Sequence, residues 1–269
     1  MKKILVATDF SNISKAGIRF AIQFASQTPC ELIFYSVNTK ELSDNIENHY
    51  KKTTQDYKLK KFILSIYKTT KKQADKAEFV TENQTHVAKS IIAFAQKHKV
   101  DYICINTSGP GIFNQLIGTT ASQLITASPI ALLIVPYNYR RRPLNHLLYA
   151  SDLAKIGIEL PLVKKFAVLF DADISVYHYS ELLDQGNFKN DFNTIASNYQ
   201  SDRVSFNFKK LNIEFSLLNH LQVDMRKIKP SMIVMFTKQN RDWFERHFAS
   251  SKTKEFGFDT NTPILVFRK

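Results

Sequence analysis

The sequence contains little cysteine, glycine or proline, and it has no long apolar run. Two cysteines in 269 residues are too few for a disulfide framework, so we expect a reducing, cytoplasmic setting. Seven glycines and eight prolines exclude a fibrous or low-complexity chain. No apolar stretch approaches the roughly 20 residues of a membrane-spanning helix, and the chain begins with a strand pattern rather than a secretory leader. These absences predict a globular protein without a membrane partner.

The sequence does contain an internal duplication. Residues 2–11 read KKILVATDFS, and residues 146–154 read HLLYASDLA. Each copy closes on a short apolar run beside a proline, at residues 128–135 and 262–267. A chain of this length can bury two separate cores. We therefore predict one domain over residues 1–138 and a second over residues 144–269, joined by a basic linker that ends at Pro143.

Strand and helix patterns alternate within each copy, as they do in a parallel α/β sheet. Short uninterrupted apolar runs are typical of strands buried on both faces, and the segments between them carry apolar residues at helical spacing. The predicted strands are residues 4–7, 32–37, 77–81, 102–105 and 131–135, then 147–150, 174–177, 213–217, 232–236 and 264–267. The sequence thus predicts two tandem copies of a five-stranded parallel sheet flanked by helices. The first helix of the second copy is predicted over residues 159–170, with Leu162, Phe166 and Leu169 inward.

The net charge of +13 is spread over both copies and is densest between residues 51 and 76. Such a basic segment is one footprint of nucleic-acid binding. However, Tyr57, Phe62, Ile63, Ile66 and Tyr67 recur between the lysines at roughly helical spacing, which is typical of a solvated helix face. No arginine-rich or aromatic RNA-reading motif accompanies the lysines. The pattern favours the solvated face, and we do not expect nucleic acid as a partner.

A glycine-containing loop follows the fourth strand of the first copy. Residues 106–111 read NTSGPG, and residues 118–120 read GTT before a helix. Glycine lets a backbone approach a ligand, and a helix N-terminus suits phosphate. Asp9 and Val37 end the first and second strands, so they can converge with this loop on one nucleotide. Loop glycines are also typical of simple turns, and neither a Walker lysine nor the dinucleotide glycine spacing is present.

The order of these motifs resembles the universal stress protein family in its tandem form. The resemblance rests on the opening ILVATDFS, a second strand that ends in valine, the glycine loop, a later Gly-Thr pair and the closing LLIVP. It implies a sheet of the adenine nucleotide hydrolase-like type, with domains that pair through their last strands into a pseudo-dimer within one chain. Nucleotide-binding members hold ATP through an aspartate and the pattern Gly-x2-Gly-x9-Gly-Ser/Thr. Carried over by position, the nucleotide-binding residues are Thr8, Asp9, Val37, Ile105, Asn106, Gly109, Gly118, Thr119 and Thr120.

The first copy departs from the family pattern in two ways. Asn106 stands where the first glycine is expected, and eight residues rather than nine separate Gly109 from Gly118. Asparagine tolerates the left-handed conformation better than most residues, so Asn106 is compatible with a glycine-like turn. The shortened loop could move the phosphate donors. In the second copy, residues 236–251 contain no glycine, so only Asp152 remains of the pattern.

The leading hypothesis is a cytoplasmic stress-response protein that binds ATP or another adenine nucleotide, with or without Mg²⁺, through its first domain. An interaction scaffold of the same fold that binds no nucleotide is the alternative. The sequence shows neither catalytic residues nor metal-ligand spacing, so we expect at most slow ATP hydrolysis. An unidentified protein partner and self-association into a homodimer are also expected.

Overall fold

The computed structural model describes residues 1–39, 47–70, 77–107, 120–180, 186–212, 214–215, 217–237 and 261–268, in which strands and helices alternate. Strands β1 to β5 are Lys2–Ala7, Cys30–Asn38, Ala77–Asn83, Tyr102–Asn106 and Ala131–Val135, and helices α1 to α4 are Lys15–Gln27, Glu47–Thr70, Val87–Lys97 and Thr120–Ala127. Strands β6 to β10 are His146–Ala150, Asp173–Ser180, Val204–Lys210, Met232–Thr237 and Ile264–Arg268, and helices α5 to α7 are Ile156–Ala167, Gly186–Tyr199 and Leu217–Ile228.

The ten strands in the described part of the chain form one sheet in the order β3-β2-β1-β4-β5-β10-β9-β6-β7-β8. Neighbours within β1–β5, here called the first half, are parallel, and so are neighbours within β6–β10, the second half. The halves meet where β5 and β10 run antiparallel, with Leu133 opposite Leu265. A pseudo-twofold axis therefore passes through this pair. The predicted fold of two five-stranded parallel sheets in an intrachain pseudo-dimer is confirmed.

The central strands are buried on both faces because helices cover the sheet on both sides. Ile4, Leu5 and Val6 of β1 are all inaccessible to solvent. One apolar cluster joins the sheet to α1, α2 and α5, and the other joins it to α3, α4 and α7. An uninterrupted apolar run suits such a strand, since every side chain then leaves water.

The lysine-rich segment folds as α2 and presents its lysines to solvent. Ile63 and Ile66 are buried against the sheet, while Lys58, Lys61 and Lys68 are exposed. α2 therefore has the solvated lysine face that the helical spacing indicated. Among the residues that the structure describes, no helix is both long enough and apolar enough to cross a bilayer.

Two predictions about the second half were wrong. The third strand was predicted over residues 213–217, but it is β8; Glu214 and Phe215 form a turn, and Leu217 begins α7. Because β8 is an edge strand, apolar and polar residues alternate along it instead of forming a run. Leu162 was predicted to face inward, yet 41% of it is exposed on α5.

The linker between the halves is packed against them. The buried Tyr139 donates its hydroxyl to Oε1 of Gln23 at 2.8 Å, and Nε2 of Gln23 donates to the carbonyl of Arg142 at 2.6 Å. The Arg142 guanidinium donates to Oγ1 of Thr262 at 2.6 Å. These bonds tie α1, the linker and the start of β10 together, so the linker is part of the packed structure.

Aromatic side chains join α1 to the second half. The Phe24 ring lies 4.7 Å from Phe170 and 6.0 Å from Phe166, measured between centroids. Phe166 also lies 5.6 Å from Tyr102 of β4. Phe24 and Phe166 are almost fully buried. Aromatic burial of this kind stabilises the junction through apolar area and edge-to-face contact.

Candidate functional site

The sheet reverses its direction of winding beside β1 in the first half. β1 lies between β2 and β4, with Ala7 opposite Tyr35 on one side and Val6 opposite Cys104 on the other. Open parallel sheets bind ligands beyond the carboxyl ends of the strands at such a point. We call the space beyond the ends of β1, β2 and β4 the first crevice. The space beyond the corresponding strands β6, β7 and β9 is the second crevice.

A tight turn follows β1 at the mouth of the first crevice. The Thr8 amide donates to the Tyr35 carbonyl at 3.0 Å, which continues the strand pairing. The Phe10 amide donates to Oγ1 of Thr8 at 3.2 Å, and the Ser11 amide donates to Oδ1 of Asp9 at 3.0 Å. Phe10 adopts a φ of 64°. This left-handed conformation is energetically unfavourable for a residue that has a side chain. The surrounding hydrogen bonds hold this turn in place.

Thr8 and Asp9 have different surroundings in this turn. Thr8 is buried, and its hydroxyl donates to Oγ of Ser14 at 2.9 Å, so it fixes the turn to the start of α1. Asp9 is exposed at the mouth of the crevice. The geometry therefore makes Thr8 a structural support, while the Asp9 carboxylate is accessible to a ligand.

The end of β4 forms the opposite wall. Asn106 pairs with Val135 and is half-buried, and the Thr107 amide donates to the Val135 carbonyl at 3.0 Å. Oγ1 of Thr107 is buried and has no hydrogen-bond partner in the described part of the chain. A buried hydroxyl without a partner costs free energy, so a polar ligand atom near it would be favoured. Ile105 points away into the apolar cluster beside α3.

The remaining predicted site residues belong to the segment that precedes α4. Thr120 is the first residue of α4 and is half-buried, so its backbone amide lies at a helix N-terminus. Gly109, Gly118 and Thr119 lie outside the described residues. Val37 lies next to the last residue of β2, half-buried against the α3-side cluster. The structure thus brings Thr8, Asp9, Val37 and Asn106 to the same end of three neighbouring strands.

The second crevice begins with the same turn. The Ser151 amide donates to the Tyr177 carbonyl at 2.9 Å, and the Leu153 amide donates to Oγ of Ser151 at 3.0 Å. The Ala154 amide donates to Oδ1 of Asp152 at 3.0 Å. Leu153 has a φ of 62° at the position of Phe10. Hydrogen bonds and backbone strain are therefore repeated in both halves.

Beneath that turn, larger side chains occupy the floor of the second crevice. Counted from the aspartate of each turn, Tyr149 replaces Val6, and the Tyr149 hydroxyl donates to the carboxylate of the buried Glu159. Burial and this hydrogen bond raise the pKa of Tyr149 far above its usual range. Glu159 stands where the first half has Ala16. A phenol and a carboxylate thus take the places of two smaller buried side chains of the first half, Val6 and Ala16.

An aromatic stack extends the filling. By strand register Phe236 corresponds to Asn106, and its ring lies 5.0 Å from Phe267 and 5.6 Å from Tyr149. Leu160, which is fully buried, corresponds to Gly17. In the first half a Cβ added to Gly17 would lie 3.6 Å from Cβ of Asn106, so the two backbones approach closely there. The floor of the second crevice is therefore packed with larger side chains than the floor of the first.

The outer edge of the second crevice also differs. Tyr179 occupies the position of Val37 and donates its hydroxyl to Oδ2 of Asp224 at 3.0 Å. Nδ1 of His178 lies 2.9 Å from the Ser151 carbonyl, which can only accept, so Nδ1 carries the hydrogen. Burial lowers the pKa of His178. Within the described residues no group of three His, Cys, Asp or Glu side chains could hold a metal ion.

Sequence reasoning identified the bulk of Phe236 at the second crevice but missed Tyr149 and Glu159 beneath it and the orphaned hydroxyl of Thr107. An alignment of the two copies on Asp9 and Asp152 would have placed Tyr149 against Val6 and Glu159 against Ala16. It would not have shown that these positions lie under the crevice, because they come from a strand and a helix that only the fold brings together. Thr107 has a threonine at the corresponding position, Thr237, so the comparison of copies gave no contrast there.

The continuous sheet, the switch point in each half and the repeated turn that presents an acidic residue define a two-fold repeated α/β protein. A comparison with protein families matches the universal stress protein family over residues 1–136. The chain therefore belongs to the universal stress protein family. A search of curated proteins finds no match.

Solved structures of the same fold cover the whole chain. A universal stress protein from Archaeoglobus fulgidus DSM 4304 covers 99% of this chain and 96% of its own length, with a TM-score of 0.68 and 14% identity. A putative universal stress protein from Pseudomonas aeruginosa UCBPP-PA14 covers 100% of this chain and 93% of its own length, with a TM-score of 0.62 and 13% identity. At these identities the likeness concerns the fold alone.

Proposed function

We propose that the first crevice binds an adenine nucleotide, ATP or AMP, with or without Mg²⁺, and that the second crevice binds none. The contrast between the crevices carries this proposal. Both crevices lie at a switch point and begin with the same kind of turn. Only the second has the large side chains of Tyr149, Glu159 and Phe236 packed beneath that turn. The nucleotide site is thereby assigned to the domain of residues 1–138, and the domain of residues 144–269 acts as the structural partner of that first domain.

The residues of the first crevice suit the parts of such a ligand. The exposed Asp9 carboxylate can accept hydrogen bonds from ribose hydroxyls or the base, and Val37 offers an apolar contact to the base. The backbone at Ile105 and Asn106 follows the same edge of the sheet. Amides at the start of α4, beginning with Thr120, suit phosphate, together with Gly109, Gly118 and Thr119 as the family resemblance implies.

The departure from glycine at position 106 is compatible with binding. Asn106 lies in the extended strand β4, and it is not among the residues with positive φ. A side chain is therefore tolerated there without the left-handed conformation that would require glycine. The orphaned hydroxyl of Thr107, one residue later, supplies a donor at the same edge.

In this proposal the protein acts in a cytoplasmic stress response, and nucleotide occupancy changes the surface that an unidentified protein partner contacts. Nucleotide binding can shift the protein between two conformations of this surface only if the nucleotide binds the two conformations with different affinities. Hydrolysis, where present, is expected to be slow. Two chains are expected to associate, which light scattering of the purified protein would test.

Calorimetric titration with Mg-ATP tests the proposal on three proteins. Asp9→Asn keeps an oxygen that accepts the turn hydrogen bond but removes the charge, and Asp152→Asn makes the same change in the second crevice. We expect one site per chain in the wild type and in Asp152→Asn, and at least about tenfold weaker binding in Asp9→Asn. Equal binding by all three proteins would contradict the assignment to the first crevice.

A contact-only scaffold is the alternative, favoured by the closed second crevice. Nucleotide-free protein that gives no heat with ATP, ADP or AMP would support it. The Asp9→Asn variant distinguishes nucleotide binding from scaffolding, because a scaffold would keep its partner contacts when the negative charge of Asp9 is removed.

A further inference from the structure

A polar cleft lies where the two halves meet, away from both crevices. Its volume is about 440 Å³, within the range of small-molecule sites. The linker, the end of α7 and the turn before β10 line it. Because β5 and β10 are antiparallel, the linker that leaves β5 passes beside the start of β10. We call this space the junction cleft.

The junction cleft is positively charged. Arg142 of the linker and Arg226 and Lys229 from the end of α7 all line it. None of the described residues that line it is acidic. Three cations that share one concave surface repel one another, and a bound anion removes that repulsion.

Two residues that line the cleft each carry a buried polar atom without a partner among the described residues. Nε of Arg142 is one, although the same guanidinium donates to Thr262 at 2.6 Å. Oδ1 of Asn138 is the other. The Asn138 amide can present its nitrogen instead by a half-turn of the side-chain amide group. Burial also lowers the pKa of Arg142, so its charge lacks full compensation inside the chain.

The C-terminal end of α7 explains part of this positive charge, because basic residues at a helix C-terminus interact favourably with the helix dipole. Arg226 and Lys227 both lie in the last turn of α7. Only Arg226 lines the cleft, whereas Lys227 does not. The dipole therefore does not account for the convergence of Arg142 on the same space from the linker, nor for its buried, unpaired Nε.

We propose that the junction cleft binds a phosphate group, which Arg142, Arg226 and Lys229 hold with hydrogen bonds from Asn138 and Thr262. Guanidinium groups match the paired oxygens of phosphate, and the Lys229 ammonium adds a point charge. Met225 lines the same cleft and offers an apolar contact to the carbon skeleton of a phosphate ester. The site joins the linker to the second half, so its ligand stabilises the attachment of the linker.

Titration of the full chain at low ionic strength tests this site with inorganic phosphate, glycerol 3-phosphate and AMP. Arg226→Gln and Lys229→Asn are each expected to weaken phosphate binding about tenfold. Asparagine tolerates the left-handed backbone at position 229, where φ is 51°. Lys227→Gln is the matched control and should bind as the wild type does, with thermal unfolding used to verify folding of every variant.

Each probe has a defined meaning. Equal affinity for inorganic phosphate and glycerol 3-phosphate identifies a site for the free ion, and a tighter ester identifies a phosphorylated metabolite. AMP binding at this site is weakened by Arg226→Gln and unchanged by Asp9→Asn, which distinguishes it from the first crevice. The proposal is overturned by the absence of saturable binding up to about 10 mM phosphate, or by equal weakening in Lys227→Gln.

Discussion

The two crevices of this sheet share their entrance and differ in what lies beneath it. Each begins with an aspartate that accepts an amide two residues later, and each holds a bulky residue at positive φ. Beneath the entrance the first half has Val6 and Ala16, whereas the second has Tyr149 and Glu159. The turn is therefore a property of the fold, and the two halves differ in the size of the side chains below it.

The same comparison applies to α1 and α5, which pack at the junction. Gln23 of α1 binds the linker through Tyr139 and Arg142, while the corresponding Phe166 packs against Phe24. The polar partner of the linker thus comes from the first half, and the aromatic residue at the equivalent position comes from the second. The two helices therefore differ in role: α1 fixes the linker, and α5 fills the apolar contact.

The largest expected effect is the loss of the aromatic junction. Phe24→Ala removes a fully buried ring that contacts Phe166, Phe170 and Tyr102, and should lower the free energy of unfolding by about 3–5 kcal/mol. Urea denaturation measures this as a lower midpoint. Tyr57→Ala, on the exposed face of α2, is the control and should change stability by less than about 0.5 kcal/mol. Similar losses in both variants would mean that the junction adds little to stability.

The contrast between crevices can be broken by transferring a residue. Asn106→Phe gives the first crevice the side chain that Phe236 supplies to the second. The added ring is expected to occupy the ligand space and to weaken Mg-ATP binding at least about hundredfold in calorimetry. Unchanged thermal unfolding serves as the control for folding. Retained affinity would show that bulk at this position does not decide whether a crevice binds.

The buried hydroxyl of Tyr149 sharpens the contrast. Tyr149→Phe removes the donor to the Glu159 carboxylate inside the second crevice and should cost about 1–3 kcal/mol of stability. Tyr35→Phe is the matched control, because the hydroxyl of Tyr35 donates at 2.7 Å to Glu82, which is only half-buried. Urea denaturation should show the larger loss for Tyr149→Phe. A larger loss for Tyr35→Phe would mean that the Tyr149 bond contributes little.

Acidification should loosen the second half through its histidines. Burial lowers the folded-state pKa of both His146 and His178. Because the unfolded chain then takes up protons first, their contribution to stability is full above about pH 6.5 and is lost as the pH falls below it. Hydrogen exchange in β6 and β7, corrected for intrinsic rates, should therefore show less protection at pH 5.5 than at pH 7.5. His178→Gln should reduce this change, and an unaltered change in that variant would exclude His178 as a cause.

Most of the fold was predictable because its strands are buried on both faces. Uninterrupted apolar runs mark β1 and β9, and such runs leave few alternatives. The edge strand β8 was not predictable in the same way, since Val204, Phe206 and Phe208 alternate with polar residues that face water. The prediction over residues 213–217 followed the next apolar cluster instead.

The candidate site was predictable only along single strands. Asp9 and Val37 could be placed at strand ends because chain order and strand length determine those positions. The filling of the second crevice depends on contacts among Tyr149 of β6, Glu159 of α5 and Phe236 of β9. Contacts among residues from three elements can be predicted only when the register of the sheet and the position of the helix are known, so no local sequence pattern indicates them.

The smallest expected effect concerns a feature that the halves share. Lys99 and Lys229 follow α3 and α7 with φ values of 52° and 51°, a conformation that favours glycine. Lys99→Gly and Lys229→Gly should each raise stability by about 0.5–1 kcal/mol, because glycine removes the steric cost of the left-handed backbone. Thermal unfolding measures both. Lys97→Gly, within α3, is the control and should lower stability.

A difference between these two gains would report on the junction cleft. Lys229 shares that cleft with Arg142 and Arg226, whereas Lys99 does not line it. Removal of one of three neighbouring cations relieves repulsion, so Lys229→Gly should gain more than Lys99→Gly at low salt. Added salt should reduce the excess, because screening weakens the repulsion that the substitution removes. Equal gains at every salt concentration would mean that the three charges do not interact.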